Sequence, residues 1–346
     1  MSHQYIIYHS IRGVKINSIR VSDEMPGLRD YEVSLLKLVD KVTNGSKVSI
    51  NETGTSVSFI PGQLTGGKIS HECSISRSVV YYLEVVAALA PFCKDPLILQ
   101  LKGSTHESID NSVDIFRSVT VPLLAKLGVA NNEEAKLSFK IVTRSCREAS
   151  GIVIFTSPTV KFLAPLDLVK EGLVKRVRGV FWSSKMNREF SVRFVESARS
   201  VLNKCIEDVW IYSENVTNTT MPCIGASIMS ETDYGYFKGV CALETDPALA
   251  ETLGKAMGQA LLKEIDLGGI CDQSHQWLVC LFMALAQDHK VSTCTIGSEL
   301  SASAVEFIRY VQTFLLVRFN VTRKPEGPIQ LECIGVNLAN TARRTI

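Results

Sequence analysis

The spacing of apolar residues switches repeatedly between a period of about three and a half and a period of two. Residues 14–21 predict a short strand that ends before a Pro26-Gly27 turn. Val33, Leu36, Leu38 and Val42 then recur at helical spacing until Asn44-Gly45, a helix-stop signal. Residues 47–51 and 56–60 alternate instead and flank Thr53-Gly54-Thr55, which predicts a pair of strands joined by a turn.

A helix followed by strands recurs along the chain. "NSVDIFRSVTVPLLAKLGV" precedes "AKLSFKIV", with Gly128 near the helix end, and "SVRFVESARSVLNKC" precedes "DVWIYSE". A fourth copy runs from "SASAVEFIRYVQTFL" through "LVRFNVTR" to "IQLECIGV". The copies share a pattern and not residue identities. Such alternation predicts an α/β protein, with helices layered on one face of each sheet.

Two segments break the amphipathic rule. Residues 66–103 predict a long, mostly buried helix broken at Pro91, followed by a strand that ends at Gly103. Within it Tyr81, Tyr82, Leu83, Val85, Val86 and Leu89 are apolar nearly all round, the mark of a helix covered on several sides. "SHQWLVCLFMALAQ", residues 274–287, has the same character. Two central helices so far apart in sequence imply one large domain, residues 1–179 with 271–346, interrupted by a smaller inserted domain at 180–270.

Composition narrows the function classes. With 46% hydrophobic and 21% charged residues in 346 there is material for a substantial core, and a net charge of +2 excludes a histone-like electrostatic binder. The ten cysteines are scattered without a C-x-x-C pair, so buried free thiols in a reducing compartment are expected. No apolar run reaches the roughly 18 residues that span a bilayer, and a soluble intracellular chain is expected.

Candidate chemistry is sparse. Histidines stand at 3, 9, 71, 106, 275 and 289, and none belongs to a metal or triad motif. His275, at a helix start, suits a cap or packing role. Gly66 and Gly67 beside Ser70 and Ser74 fit either an anion nest or a plain turn. Lys170, Lys175, Arg176 and Arg178 gather in "KEGLVKRVRG", and the tail carries Arg343 and Arg344. The basic strand suits a phosphate or acidic-protein contact, or equally a solvated edge that discourages aggregation.

Several segments together resemble the RNA 3′-terminal phosphate cyclase superfamily, more closely its cyclase-like branch. They are "PGLRDYEVSLLKLVDKVTNG", "GTSVSFIPG", "GGKISHECSISRSVVYYLEVVAALAPFCK", "VKRVRGV", "QALLKEI", "SHQWLVCLFMALAQ" and "ECIGVNLANT", in the family's order from about residue 14 to the end. The resemblance implies a large domain of repeated βαβαββ units with a small inserted α/β domain. The candidate binding residues are Arg29, Gly66, Gly67, Lys175, Arg176 and Arg178.

In cyclases a histidine at the C-terminal loop-to-helix junction carries AMP from ATP to the RNA end, a step that needs an unprotonated ring nitrogen. Matching "SELSASAVEF" to that pattern puts the position at or near Leu300, flanked by Glu299, Ser301 and Ser303, none of which replaces an imidazole. Two more departures speak against a kept phosphate pocket. The family's Gly-Gly-Gly-Glu run is replaced by "TRSCREASGIVIF", with only Gly151 kept and Glu148 displaced, and "MSHQYIIYHSIRGVKI" is short for the family's first helix.

The branch therefore implies a nucleolar ribosome-assembly factor without cofactor or metal. Its implied partners are an assembly GTPase and small-subunit processome proteins, with pre-rRNA as a further contact and no membrane. An RNA-processing enzyme, either an endonuclease or a cyclase with a relocated nucleophile, is the alternative. A diverged copy without a ribosomal role is a third reading.

Overall fold

The computed structural model describes residues 13–340 except 133–134, 147–149, 186, 217–221, 245, 247–248 and 324–326. The expectations for the start of the chain, Glu148, Arg343 and Arg344 therefore lie outside the described residues.

Strand β1 (Val14–Ile16) is shorter than expected, because Ser18 and Arg20 both adopt left-handed backbone conformations. Helix α1 (Asp30–Val42) follows, and the Glu32 carboxylate accepts the Arg29 backbone N–H at 2.8 Å, satisfying a helix-start donor. Its buried stripe is Leu35, Leu38, Val39 and Val42, so Val33 and Leu36 lie at the margin of the buried face. Strands β2 (Lys47–Ile50) and β3 (Val57–Ile60) complete an antiparallel sheet of order β1–β3–β2.

The second unit comprises β4 (Gly67–Glu72), α2 (Val79–Leu89), β5 (Leu97–Gly103), α3, β6 (Ser138–Thr143) and β7 (Gly151–Ser157). Helix α3 runs through Val113–Ile115, a π-turn at Phe116–Thr120 and Val121–Lys126; Pro122 has no N–H to keep the ordinary ladder there. The long helix expected from residue 66 is a strand, a turn and a shorter helix. "KISHE" alternates, and the helix begins only where the Ser78 hydroxyl accepts the Val80 N–H.

Strand β8 (Asp167–Leu168) opens a third unit, which the chain leaves for an inserted sheet. That insertion contains β9 (Val174–Ser184), α4 (Arg188–Leu202), β10 (Val209–Val216), β11 (Cys223–Thr232), β12 (Phe237–Glu244) and α5 (Ala250–Asp266). The third unit resumes with α6 (Gln276–Leu285), β13 (Ser292–Ile296), α7 (Ala302–Leu315), β14 (Asn320–Arg323) and β15 (Ile329–Cys333).

Units two and three share one topology. Their sheets run β4–β5–β7–β6 and β8–β13–β15–β14, each with a parallel first pair and two antiparallel pairs. Both are βαβαββ units, and the first sheet has the order of the last three strands of that unit. The inserted sheet differs: its order is β10–β9–β11–β12, with α4 crossing between the parallel pair β9 and β10. The third helix–strand copy is thus a different unit despite its matching pattern. Position 179/180 falls inside β9, whose whole length pairs within the inserted sheet.

Helices α2 and α6 form the main core. Every residue of α2 except Glu84 and every residue of α6 except Trp277 is buried. The insertion has its own core around Phe181, Phe194, Leu202, Met257 and Leu261. There α4 and α5 approach so closely that a Cβ at Gly254 would lie 2.6 Å from the Phe194 carbonyl oxygen.

A buried polar network joins the insertion to unit two. The Asp114 carboxylate, fully buried, accepts two hydrogen bonds from Arg144 at 2.6 and 2.9 Å, and Arg144 also donates to Glu214 on β10 at 3.1 Å. Trp182 on β9 donates to His106 Nε2 at 3.0 Å. Burial lowers the His106 pKa, as suits an imidazole that accepts a hydrogen bond. Asp114→Ala would leave Arg144 buried with Glu214 as its remaining carboxylate. Urea unfolding is expected to show a loss of about 3–5 kcal/mol; a loss below about 1 kcal/mol would mean that Glu214 suffices.

Candidate functional site

A cleft of about 670 Å³ opens where α2, α6, α7 and the insertion meet, lined among others by Arg77, Glu84, Asp110, Cys241, Trp277 and Glu306. The loop after β5 brings Asp110 to the start of α2. Its carboxylate accepts the Arg77 Nε hydrogen at 2.8 Å and the Ser78 backbone N–H at 2.9 Å. The Arg77 guanidinium also lies over the Tyr81 and Tyr31 rings, at 4.5 and 5.2 Å from their centroids. The cation is consumed by this cage.

Glu84 is the one acidic or basic residue of α2. Burial raises its pKa to about 7, outweighing the nearby His275 and a 3.3 Å hydrogen bond from Asn111. Glu306 comes from α7 and accepts from the Tyr310 hydroxyl at 2.9 Å. Three carboxyl groups therefore face one already paired guanidinium. A polyphosphate entering the cleft would meet net repulsion.

Behind the wall lies a hydroxyl–imidazole–carboxylate line. His275 Nε2 is 2.7 Å from the Thr120 hydroxyl, and Nδ1 is 2.6 Å from Asp272. All three residues are buried. Asp272 also accepts the Gly239 N–H of β12, at 3.0 Å. Burial alone would lower the His275 pKa, but the Asp272 charge and hydrogen bond raise it. The line braces the π-turn of α3, the loop before α6 and the inserted sheet. Cys241 does reach the cleft, but burial pushes its thiol up to about 11, so it is protonated and a poor nucleophile at neutral pH.

The Leu300 loop is fastened from below. Buried Gln276 donates to the Glu299 carbonyl at 2.9 Å and accepts the Ser301 N–H at 2.8 Å, holding both neighbours of Leu300. Leu300 itself packs against the main core. Ser301 caps α7 by accepting the Ala304 N–H at 3.2 Å, and its hydroxyl lies 3.1 Å from that of Ser303. Among the described residues no imidazole lines the cleft.

The other sequence candidates are not assembled here. Arg29 donates to the Met25 carbonyl at 2.8 Å and braces the loop before α1. Gly66 and Gly67 have positive φ, and their N–H groups point to Val42 and Pro96 carbonyls at 3.5 and 3.1 Å. A Cβ at Gly66 would also collide with the Asp95 carbonyl oxygen. That is turn geometry, with the donors of a nest already occupied.

Lys175, Arg176 and Arg178 lie on β9, an interior strand rather than an edge. Arg176 is paired with Glu231 at 2.6 Å and Arg178 with Asp208 at 2.8 Å, while Lys175 is exposed at a bulge. Arg77, Glu84, Asp110, Gln276 and Glu306 went unnoticed in the sequence. The only local signal was Glu84, a lone charge in an otherwise apolar helix.

Among the described residues no group of three or more His, Cys, Asp or Glu side chains could hold a metal ion, and no helix is long and apolar enough to cross a membrane. Eight cysteines are buried, Cys241 is half-buried and Cys205 is exposed.

The family model described as RNA 3′-terminal phosphate cyclase matches residues 9–321. The chain belongs to that family. Within it, the chain is similar to the RNA 3′-terminal phosphate cyclase-like proteins of Homo sapiens and Mus musculus, at 38% identity over 96% of this chain and 92% of each relative. It is also 31% identical, over the same shares, to a Schizosaccharomyces pombe protein named rRNA processing protein rcl1.

The Glu84 pKa gives stability a definite pH slope. A carboxyl whose pKa is higher folded than unfolded binds its proton more tightly in the native state, so stability falls as pH rises from about 4.5 to about 7. The full effect is about 3 kcal/mol. Glu84→Gln is expected to flatten that slope and to exceed the parent by about 1–3 kcal/mol at pH 8 in urea unfolding. An unchanged profile would mean that Glu84 is ionised and solvated in the cleft.

Proposed function

We propose that this protein is a non-catalytic factor in the processing of small-subunit ribosomal RNA. The observation that carries the reading is the junction at Leu300: the nucleophile position implied by the family pattern holds a packed hydrocarbon side chain, and its loop is clasped on both sides by Gln276. The carboxyl-rich cleft adds support, since adenylation requires a polyphosphate to settle beside the nucleophile. The name of the fission-yeast relative supports the rRNA-processing half of the reading, and the "cyclase-like" names support the other.

In this role the protein works in the nucleolus, within the small-subunit processome. It holds an assembly GTPase and presents a surface that touches pre-rRNA. The arginines of β9 have carboxylate partners in their own sheet, so Lys175 is the member of that group best placed for such a contact.

Two measurements separate the parts of this proposal. Incubation with α-labelled ATP is expected to leave no covalent label on the protein, and an AMP adduct would overturn the non-catalytic reading. Depleting the protein from cells is expected to accumulate uncleaved small-subunit precursor. Normal precursor levels would overturn the processing role whatever the labelling result.

A further inference from the structure

Strand β10 is an edge strand of the inserted sheet, eight residues long, paired with β9 in unbroken parallel register from Val209 to Val216. Edge strands of soluble proteins are usually blunted by a lysine, a proline, a bulge or a covering element. Other edges in this fold are. Strand β6 carries Lys140 and a register shift between Ile141 and Thr143, and β14 is four residues long and ends in Arg323. The opposite edge of the inserted sheet, β12, lays Phe237 and Cys241 against Ile115 and Val119 of α3. Among the described residues strand β10 carries no lysine, proline or bulge, and unit two reaches it towards its C-terminal end, through the Arg144–Glu214 pair and buried Val216. Among the described residues no backbone hydrogen bond outside the sheet ladder involves residues 210–216.

This bare edge also presents two large aromatic side chains. Trp210 and Tyr212 point to the same face, are 54% and 58% exposed, and have ring centroids 5.9 Å apart. Trp210 stands opposite Arg178 on β9. Tryptophan, tyrosine and arginine are the side chains that most often anchor protein interfaces. Charge selects the kind of partner. The edge segment 205–216 contains Glu207, Asp208 and Glu214 and no lysine or arginine. The guanidinium groups of Arg176 and Arg178 already hold Glu231 and Asp208, so a nucleic acid would have to break those pairs.

We propose that β10 accepts an extended segment of a partner protein as a fifth strand, one that alternates aliphatic with basic side chains. Its backbone would complete the free side of the ladder. Its aliphatic residues would lie across Trp210 and Tyr212, and its cations would face Glu207 and the exposed sides of Asp208 and Glu214, which stay about half exposed although Arg178 and Arg144 hold them.

The test uses the full chain and four fluorescently labelled probes: a short peptide alternating valine and lysine, its glutamate counterpart, the lysine peptide with a central proline, and an oligouridylate. Anisotropy titration is expected to give saturable binding of the lysine peptide, at least about tenfold tighter than of the other three. Hydrogen exchange at residues 210–216 is expected to slow when it is bound. The doubly substituted Trp210→Ala, Tyr212→Ala protein, whose altered side chains are more than half exposed, is expected to keep its melting temperature and to weaken the peptide by at least about tenfold. Equal binding of the proline peptide would overturn strand addition. Tighter binding of oligouridylate would make the face a nucleic-acid platform instead, and unchanged exchange on peptide binding would place the contact elsewhere.

Discussion

Helices α2 and α6 have almost no polar side, and that constraint organises the rest of the molecule. A helix with no solvated face is stable only when covered all round. Each of these occupies the same place in its unit, in the crossover between the parallel first and second strands, and both belong to one buried core. Fully burying each of their leucines, valines and phenylalanines is worth about 1.5–3 kcal/mol. The repeated units therefore stabilise one another, and the inserted sheet attaches through the Asp114–Arg144 network and the His275 line.

The cleft forms where that apolar packing ends. Glu84 is the one break in the apolar surface of α2, and Trp277 the one incompletely buried residue of α6; both line it. Gln276, beside Trp277, ties the core to the Leu300 loop, so the fold holds this junction rigidly although it carries no imidazole. The cleft next to it is lined by three carboxyl groups and one guanidinium that is already paired. The proposed non-catalytic reading rests on this combination.

Much of the fold was legible in the sequence because it depends on spacing. The alternation of helices with strands, both buried helices and the end of α1 before Asn44-Gly45 follow from periodicity and turn chemistry, while the βαβαββ plan itself follows from the family resemblance. The errors have physical causes. "KISHE" buries only His71 fully and alternates too weakly to stand out as a strand. The third helix–strand copy has the right pattern, but pattern does not reveal strand order. The basic run "VKRVRG" resembles a solvated edge because its partners Glu231 and Asp208 are 55 and 30 residues away in sequence. The cleft was illegible for the same reason: Arg77, Asp110 and Glu306 converge only through tertiary packing.

The proposed non-catalytic role requires that the cleft lined by Arg77, Trp277 and Glu306 receive no nucleotide. Isothermal titration of the protein with ATP and magnesium, with Trp277 fluorescence followed in parallel, tests it most directly. We expect no saturable heat and no change in emission at millimolar ATP. Saturable binding that shifts Trp277 emission and weakens on Arg77→Ala substitution would contradict the account.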